Sequence, residues 1–186
     1  MEFIDLMDKH RDYYVNDLVE VFSKTDGAKE VLVDSKSDEE IELYRLCRFD
    51  ILQKNEDGGF GVVEFNNDAY LNHQTISFEI QNSVVLVSPV YWNGIEIEAK
   101  GFDGDMDSIL KWIEKWLDVE DESSTEQNIS GLIHSFIRPK VEGESHQFAI
   151  DFGTSSSIAV SEFVDILIKQ GANSIAIHSQ SMLSDE

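Results

Sequence analysis

The chain holds one cysteine, Cys47, and two prolines in 186 residues. A single thiol excludes an intramolecular disulfide and a cysteine-based zinc cluster. Lying inside "ELYRLCRFDIL", Cys47 reads as a buried structural thiol. No apolar run approaches the ~20 residues of a membrane span. The start, "MEFIDLMDKH", is acidic and amphipathic and lacks the basic, apolar pattern of a signal peptide. A soluble cytoplasmic protein is the expectation.

Basic residues are also scarce. There are 14 Lys and Arg against 37 Asp and Glu, for a formal net charge of −23. Such a chain is a poor match for nucleic acid or an anionic membrane, both polyanions, and a good match for a basic partner. Spread evenly over a surface of roughly 9,000 Å², the excess charges would stand about 20 Å apart. That spacing exceeds the Debye length of about 8 Å at physiological salt, so an even spread gives solubility and little else. A specific electrostatic role requires clustering.

Motifs of common enzyme classes are missing as well. The chain has no G-x-S-x-G, no phosphate-loop lysine and no H-E-x-x-H. The five histidines, His10, His73, His134, His146 and His178, show no paired metal-ligand spacing. The last three fall on expected carboxy-terminal strands, where convergence is possible. Carboxylates are so abundant that no acid/base pair stands out. These absences favour a non-enzyme, and no cofactor is implied.

What is present reads as a sequence of elements. Phe3, Met7, His10, Tyr14, Leu18 and Val21 recur at three- or four-residue spacing, which predicts a helix over 2–23. "KEVLVD" and the alternating "IELYRLCRFDILQ" predict strands, and "NEDGG" before "FGVVEF" predicts a hairpin over 46–65. "TISFEI" alternates cleanly. "VVLVSPVYW" and "IEIEAK" flank Asn93-Gly94, a strong two-residue hairpin signal. "DMDSILKWIEKWLD" predicts a second helix, with Met106, Ile109, Leu110, Ile113 and Trp116 or Leu117 facing the core. After the acidic, serine-rich "VEDESSTEQN" comes a β-β-α-β run ending in "NSIAIHS".

The expected fold is α+β: a mostly antiparallel sheet with an N-terminal helix and two further helices packed on it. The division is an N-terminal part, 1–118, a linker, 119–128, and a C-terminal part, 129–186, forming one compact unit. Strand–glycine loop–helix recurs at "IEIEAKGFDGDMDSILKWIEKWL" and "FAIDFGTSSSIAVSEFVDILIKQ". Two small similar halves are therefore an alternative.

Two local stretches carry chemical signals. Asp151-Phe152-Gly153-Thr154-Ser155-Ser156-Ser157 resembles the first phosphate-binding motif of the actin-like ATPase superfamily. The resemblance implies anion contacts from Gly153, Thr154, Ser155 and Ser156. Only 29 residues follow Ser157, with one glycine among them, Gly171, and no second acidic-glycine turn. The simpler expectation is a strand, a glycine turn and a helix capped by a serine of the run or by Ser161. "DGDMDSILKWIE" resembles an EF-hand loop, with Asp103, Asp105 and Asp107 at alternate positions and Glu114 at the twelfth. It departs from that pattern at Ser108, where a glycine is needed, and follows a strand instead of a helix.

Trp112 and Trp116, four apart on the second helix, are candidate partner-binding residues. The functional expectation is a non-enzymatic acidic module that binds a basic protein partner. In general character it resembles immunity proteins and nucleic-acid mimics. Two alternatives stay open: a small-ligand or anion-binding domain or enzyme using the Gly153–Ser157 turn, and a structural subunit whose acidity only gives solubility.

Overall fold

A computed structural model of the chain describes residues 1–25, 29–34, 43–49, 51–54, 59–63, 70–117 and 129–179. The linker at 119–128 lies outside the described residues. Helix α1 spans Phe3–Lys24. It buries Phe3, Leu6, Met7, His10, Tyr14, Val15, Leu18 and Phe22, the stripe that its spacing predicts, with Leu6 added and Val21 at the margin. A capping box joins Glu2 and Asp5 at its start, which satisfies amide donors that the first turn leaves free.

Strands β1 (Val31–Asp34), β2 (Leu43–Phe49), β3 (Ile51–Lys54) and β4 (Phe60–Val63) follow. The expected strand over 41–53 is thus split, and the hairpin expected in 46–65 is the β3–β4 pair, Ile51↔Val63 to Lys54↔Phe60. Next come β5 (Ile76–Ile80), β6 (Ser83–Val87), β7 (Ile95–Lys100) and helix α2 (Asp107–Trp116). The carboxy-terminal run is β8 (Ser135–Glu142), β9 (Ser145–Asp151), α3 (Ile158–Lys169) and β10 (Ser174–His178). The fold is α+β, as the order of elements predicts.

Among the described residues, eight strands form one sheet in the order β1-β2-β8-β9-β7-β10-β6-β5. Every pairing is antiparallel except β10 with β6. The sheet mixes strands from both sides of the linker, because β9 pairs with β7, and β10 lies between β7 and β6.

That last placement corrects one expectation. Asn93-Gly94 does not join a hairpin, since β6 and β7 are not neighbours. The β6 strand stops at Val87, before Pro89, which cannot donate to a ladder. Beyond it, the Ser88 amide donates to Ile177 O (2.9 Å) and Ser179 Oγ donates to Gly94 O (2.7 Å). The end of β10 therefore fills the space that a tight hairpin would close. The tight turn is instead Gln81-Asn82, between Ile80 and Ser83, with Gln81 at φ +54°.

Among the described residues, all three helices cover the same sheet face. Trp112 of α2 packs its ring on Phe136, Phe152 and Phe163, and Phe163 of α3 packs on Phe136 and Phe148. Phe3 of α1 meets Phe78 of β5 edge-on at 5.7 Å. Each large side chain sealed in this layer contributes about 1.5–3 kcal/mol of apolar burial.

Candidate functional site

The turn after β9 is where the chain brings together its most unusual polar groups. Asp151 ends the strand, and its Oδ1 accepts the Gly153 amide at 2.8 Å. This local bond starts the turn. Gly153 adopts φ +50°, and a β-carbon there would stand 2.3 Å from the His134 ring. Glycine is required both by the backbone and by the imidazole lying against it.

His134 is 2% exposed and Glu30, just before β1, is 8% exposed. His134 Nε2–H donates to Glu30 Oε1 at 2.5 Å, and its Nδ1 lies 3.4 Å from Asp151 Oδ2. Glu30 Oε2 accepts the Thr154 hydroxyl at 2.8 Å and the Ser130 amide. Thr154 Oγ1 in turn accepts the Gly131 amide at 2.9 Å. The result is a closed chain, Thr154–Glu30–His134–Asp151, drawn from three separate segments: the approach to β1, the approach to β8 and the turn after β9.

The electrostatics favour an imidazolium. Burial opposes the charge on His134, but Asp151 and Glu30 outweigh it and push the group up to about 9. Burial also opposes the charge on Glu30, and His134 and Ser130 outweigh it, holding the carboxyl below its usual value. With both ring nitrogens protonated and engaged, His134 has no lone pair to offer as a base. The arrangement acts as a polar lock inside the core.

The rest of the turn is similarly committed. Ser155 Oγ donates to Phe152 O (2.7 Å), Ser157 Oγ donates to Asp8, and Ser156 Oγ accepts the Ile158 amide (3.3 Å). Arg11 donates from Nε to Ser155 O (2.7 Å) and from Nη2 to Thr154 O (3.2 Å). The turn thus presents carbonyls to a cation, and the carboxylates of Asp8, Glu30 and Asp151 all bond to it. Of Gly153, Thr154, Ser155 and Ser156, the first three are buried. The expected hydroxyl cap of α3 is modified too: Ser157 occupies the N-cap, but its hydroxyl is turned to Asp8.

The aspartates before α2 are exposed, and successive side-chain-to-backbone hydrogen bonds hold them. Asp103 Oδ1 accepts the Asp105 amide (2.9 Å) and Asp105 Oδ1 accepts the Asp107 amide (3.0 Å). Asp107 begins the helix that carries Glu114, so the loop does not fold back on itself. Among the described residues, no group of three or more acidic, histidine or cysteine side chains is placed to hold a metal ion. His134, His146 and His178 do not converge: His146 packs on Phe102, and His178 faces Glu96.

Trp112 lies in the core, where its Nε1–H donates to Ala159 O at 3.0 Å. Trp116 is half-buried, and its Nε1–H donates to Glu162 Oε2 at 2.9 Å. Lys115 bonds the same carboxylate at 2.7 and 2.8 Å. Partial burial opposes the Glu162 charge, yet these two donors hold its carboxyl below the usual value. Between α2 and α3 lies a shallow cleft of about 300 Å³, with Lys111, Lys115 and Lys169 along its walls.

A second buried imidazole has no counterpart in any motif. His10 Nε2 and His73 Nε2 are 2.9 Å apart, and His73 Nδ1 lies 2.7 Å from Gln74 O. Burial, with His73 adding to it, pushes His10 down to about 4. Among the described residues, its Nδ1 is buried without a partner.

The sheet face away from the helices is the remaining candidate. Register places Ser77, Leu86, Ala176, Glu98 and Gln147 in one row across five strands. Glu79, Val84, Glu96 and Ile137 share that face by strand alternation and pairing. Val84 is 41% exposed, Leu86 38% and Ile137 50%. Glu30, Arg11 and this face were not singled out by sequence reasoning. Only the alternation of "TISFEI" and "IEIEAK" hinted at the face. Among the described residues, no helix is long and apolar enough to cross a membrane. No protein-family model, curated protein or solved structure matches this chain.

Proposed function

We propose that this protein is a non-enzymatic binding module for a basic protein partner, and that the helix-free face of the sheet is its contact surface. One observation carries the reading. The three helices among the described residues pack on one face, and the other keeps Val84, Leu86 and Ile137 accessible beside Glu79, Glu96 and Glu98. Exposed apolar side chains supply the desolvated centre of an interface, and carboxylates around them select cationic groups. The net charge of −23 would speed encounter with such a partner at low salt.

The test is capture of basic proteins by the immobilised chain at low and at high salt, in parallel with a Leu86→Asp, Ile137→Asp variant. Salt-sensitive capture that the variant loses is the expected outcome. Failure to retain any basic protein at low salt would overturn the proposal.

A further inference from the structure

Strand β5 is the terminal strand of the sheet among the described residues, and it pairs only with β6. The direction of its backbone groups follows from the neighbouring bonds. The Val84 amide donates to Asn173 O (3.1 Å) and the Ser88 amide to Ile177 O (2.9 Å). Even-numbered amides of this stretch therefore point to β10. Ser83, Val85 and Val87 point the other way, to their partners Ile80, Phe78 and Ile76. Ser77 and Glu79, which alternate with those residues, direct their N–H and C=O groups out of the sheet.

Natural edges are normally protected by charged side chains, especially lysine, by proline or by a bulge. The strand "ISFEI" has no lysine, proline or bulge, its register with β6 runs unbroken from Ile76 to Ile80, and its one charge, Glu79, repels acidic strands and admits basic ones. Its core-facing side chains are also incompletely covered. Ile76, Phe78 and Ile80 are half-buried, whereas Val85 and Val87 on the next strand are fully buried. One more strand would complete that burial and bond the outward groups of Ser77 and Glu79.

We infer that the partner adds an extended, basic segment as a new strand alongside β5. This rests on the basic-partner reading above. Strand addition takes its affinity from main-chain bonds and its specificity from alternate side chains. The added segment would alternate apolar residues, over Ile76, Phe78 and Ile80, with Lys or Arg, beside Ser77 and Glu79. Charge selects this occupant over a second copy of the chain, which would bring another −23 to the same edge.

The experiment is an NMR titration of the full chain with a short capped peptide of alternating Val and Lys, and with a matched Val and Glu peptide. The Val–Lys peptide should protect the Ser77 and Glu79 amides from exchange, and the binding should weaken with salt. Ser77→Pro, which removes one outward donor, should weaken it by about 2–10-fold. Glu79→Gln should weaken it less and flatten the salt dependence. Binding of the Val–Lys peptide without protection at Ser77 and Glu79 overturns strand addition and leaves the basic-partner reading standing. Equal binding of the Val–Glu peptide with that protection overturns the basic reading and keeps the edge. Protection that grows with protein concentration alone assigns the edge to a second copy and overturns the proposed occupant. No binding of either peptide overturns strand addition. The wild-type amide data decide the matter even where Ser77→Pro does not fold.

Discussion

Nε2 of His134 lies 2.5 Å from Oε1 of Glu30, across 104 residues of chain. The pair ties the segment entering β1 to the start of β8, and through Thr154 to the turn before α3. Removing one member leaves the other charged and buried. Glu30→Ala is therefore expected to cost about 3–5 kcal/mol. That is a large part of the ~5–15 kcal/mol that holds an ordinary domain folded. Urea denaturation of the two proteins measures it, and a loss below about 1 kcal/mol would show that the lock contributes little.

The two buried histidines titrate in opposite senses. His134 is raised to about 9 from 6.5, so its contribution is complete below about pH 6.5 and is lost as pH climbs through 9. His10 is lowered to about 4, so its neutral form costs nothing above about pH 6.5 and stability falls as pH drops toward 4. Glu30, also lowered, adds to the loss on the acid side. Stability should peak near pH 6–7 and decline on both flanks. Denaturation midpoints across that range test it, with His10→Leu expected to flatten the acid flank only. An acid flank unchanged in that variant would remove His10 from the account.

Gly153→Ala should be far costlier than Gly94→Ala. At Gly153 the new methyl would meet the His134 ring at 2.3 Å on a backbone at φ +50°. The left-handed conformation alone costs about 1–2 kcal/mol for a residue with a β-carbon. Displacing His134 adds to that. At Gly94 nothing lies within 4 Å of the added carbon. Thermal denaturation should show a strong loss for the first and a shift within about 1 kcal/mol for the second.

Trp112→Ala and Trp116→Ala separate core from surface. Trp112 is buried among Phe136, Phe152 and Phe163, and its truncation should cost about 3–5 kcal/mol. Trp116 is half-buried and holds the exposed Lys115–Glu162 pair, so its loss should be markedly smaller. Equal losses in chemical denaturation would contradict this assignment.

Helix α1 and the strand–turn–helix units around α2 and α3 were legible in the sequence because their causes are local. Periodicity of 3.6 put Phe3, Met7, His10, Tyr14 and Leu18 on one stripe, and that stripe is buried. The α+β class followed from the order of such elements. For Asn93-Gly94, the local hairpin preference is real, but the insertion of β10 between β6 and β7 overrides it. For the Gly153 turn, the spelling suggested an anion cradle, while Arg11 and Glu30, remote in the chain, occupy its carbonyls and a hydroxyl.

The sequence by itself determined the elements and the excess of acid. Both depend on neighbouring residues or on simple composition. Only the tertiary structure decided which polar groups are sealed together and which sheet face and edge remain open. Glu30 finds His134, and Ser77 and Glu79 are left facing outward, through pairings between distant segments. Such pairings carry no period and no spacing, because they depend on which distant strands lie side by side in the sheet rather than on the residues beside them in the chain.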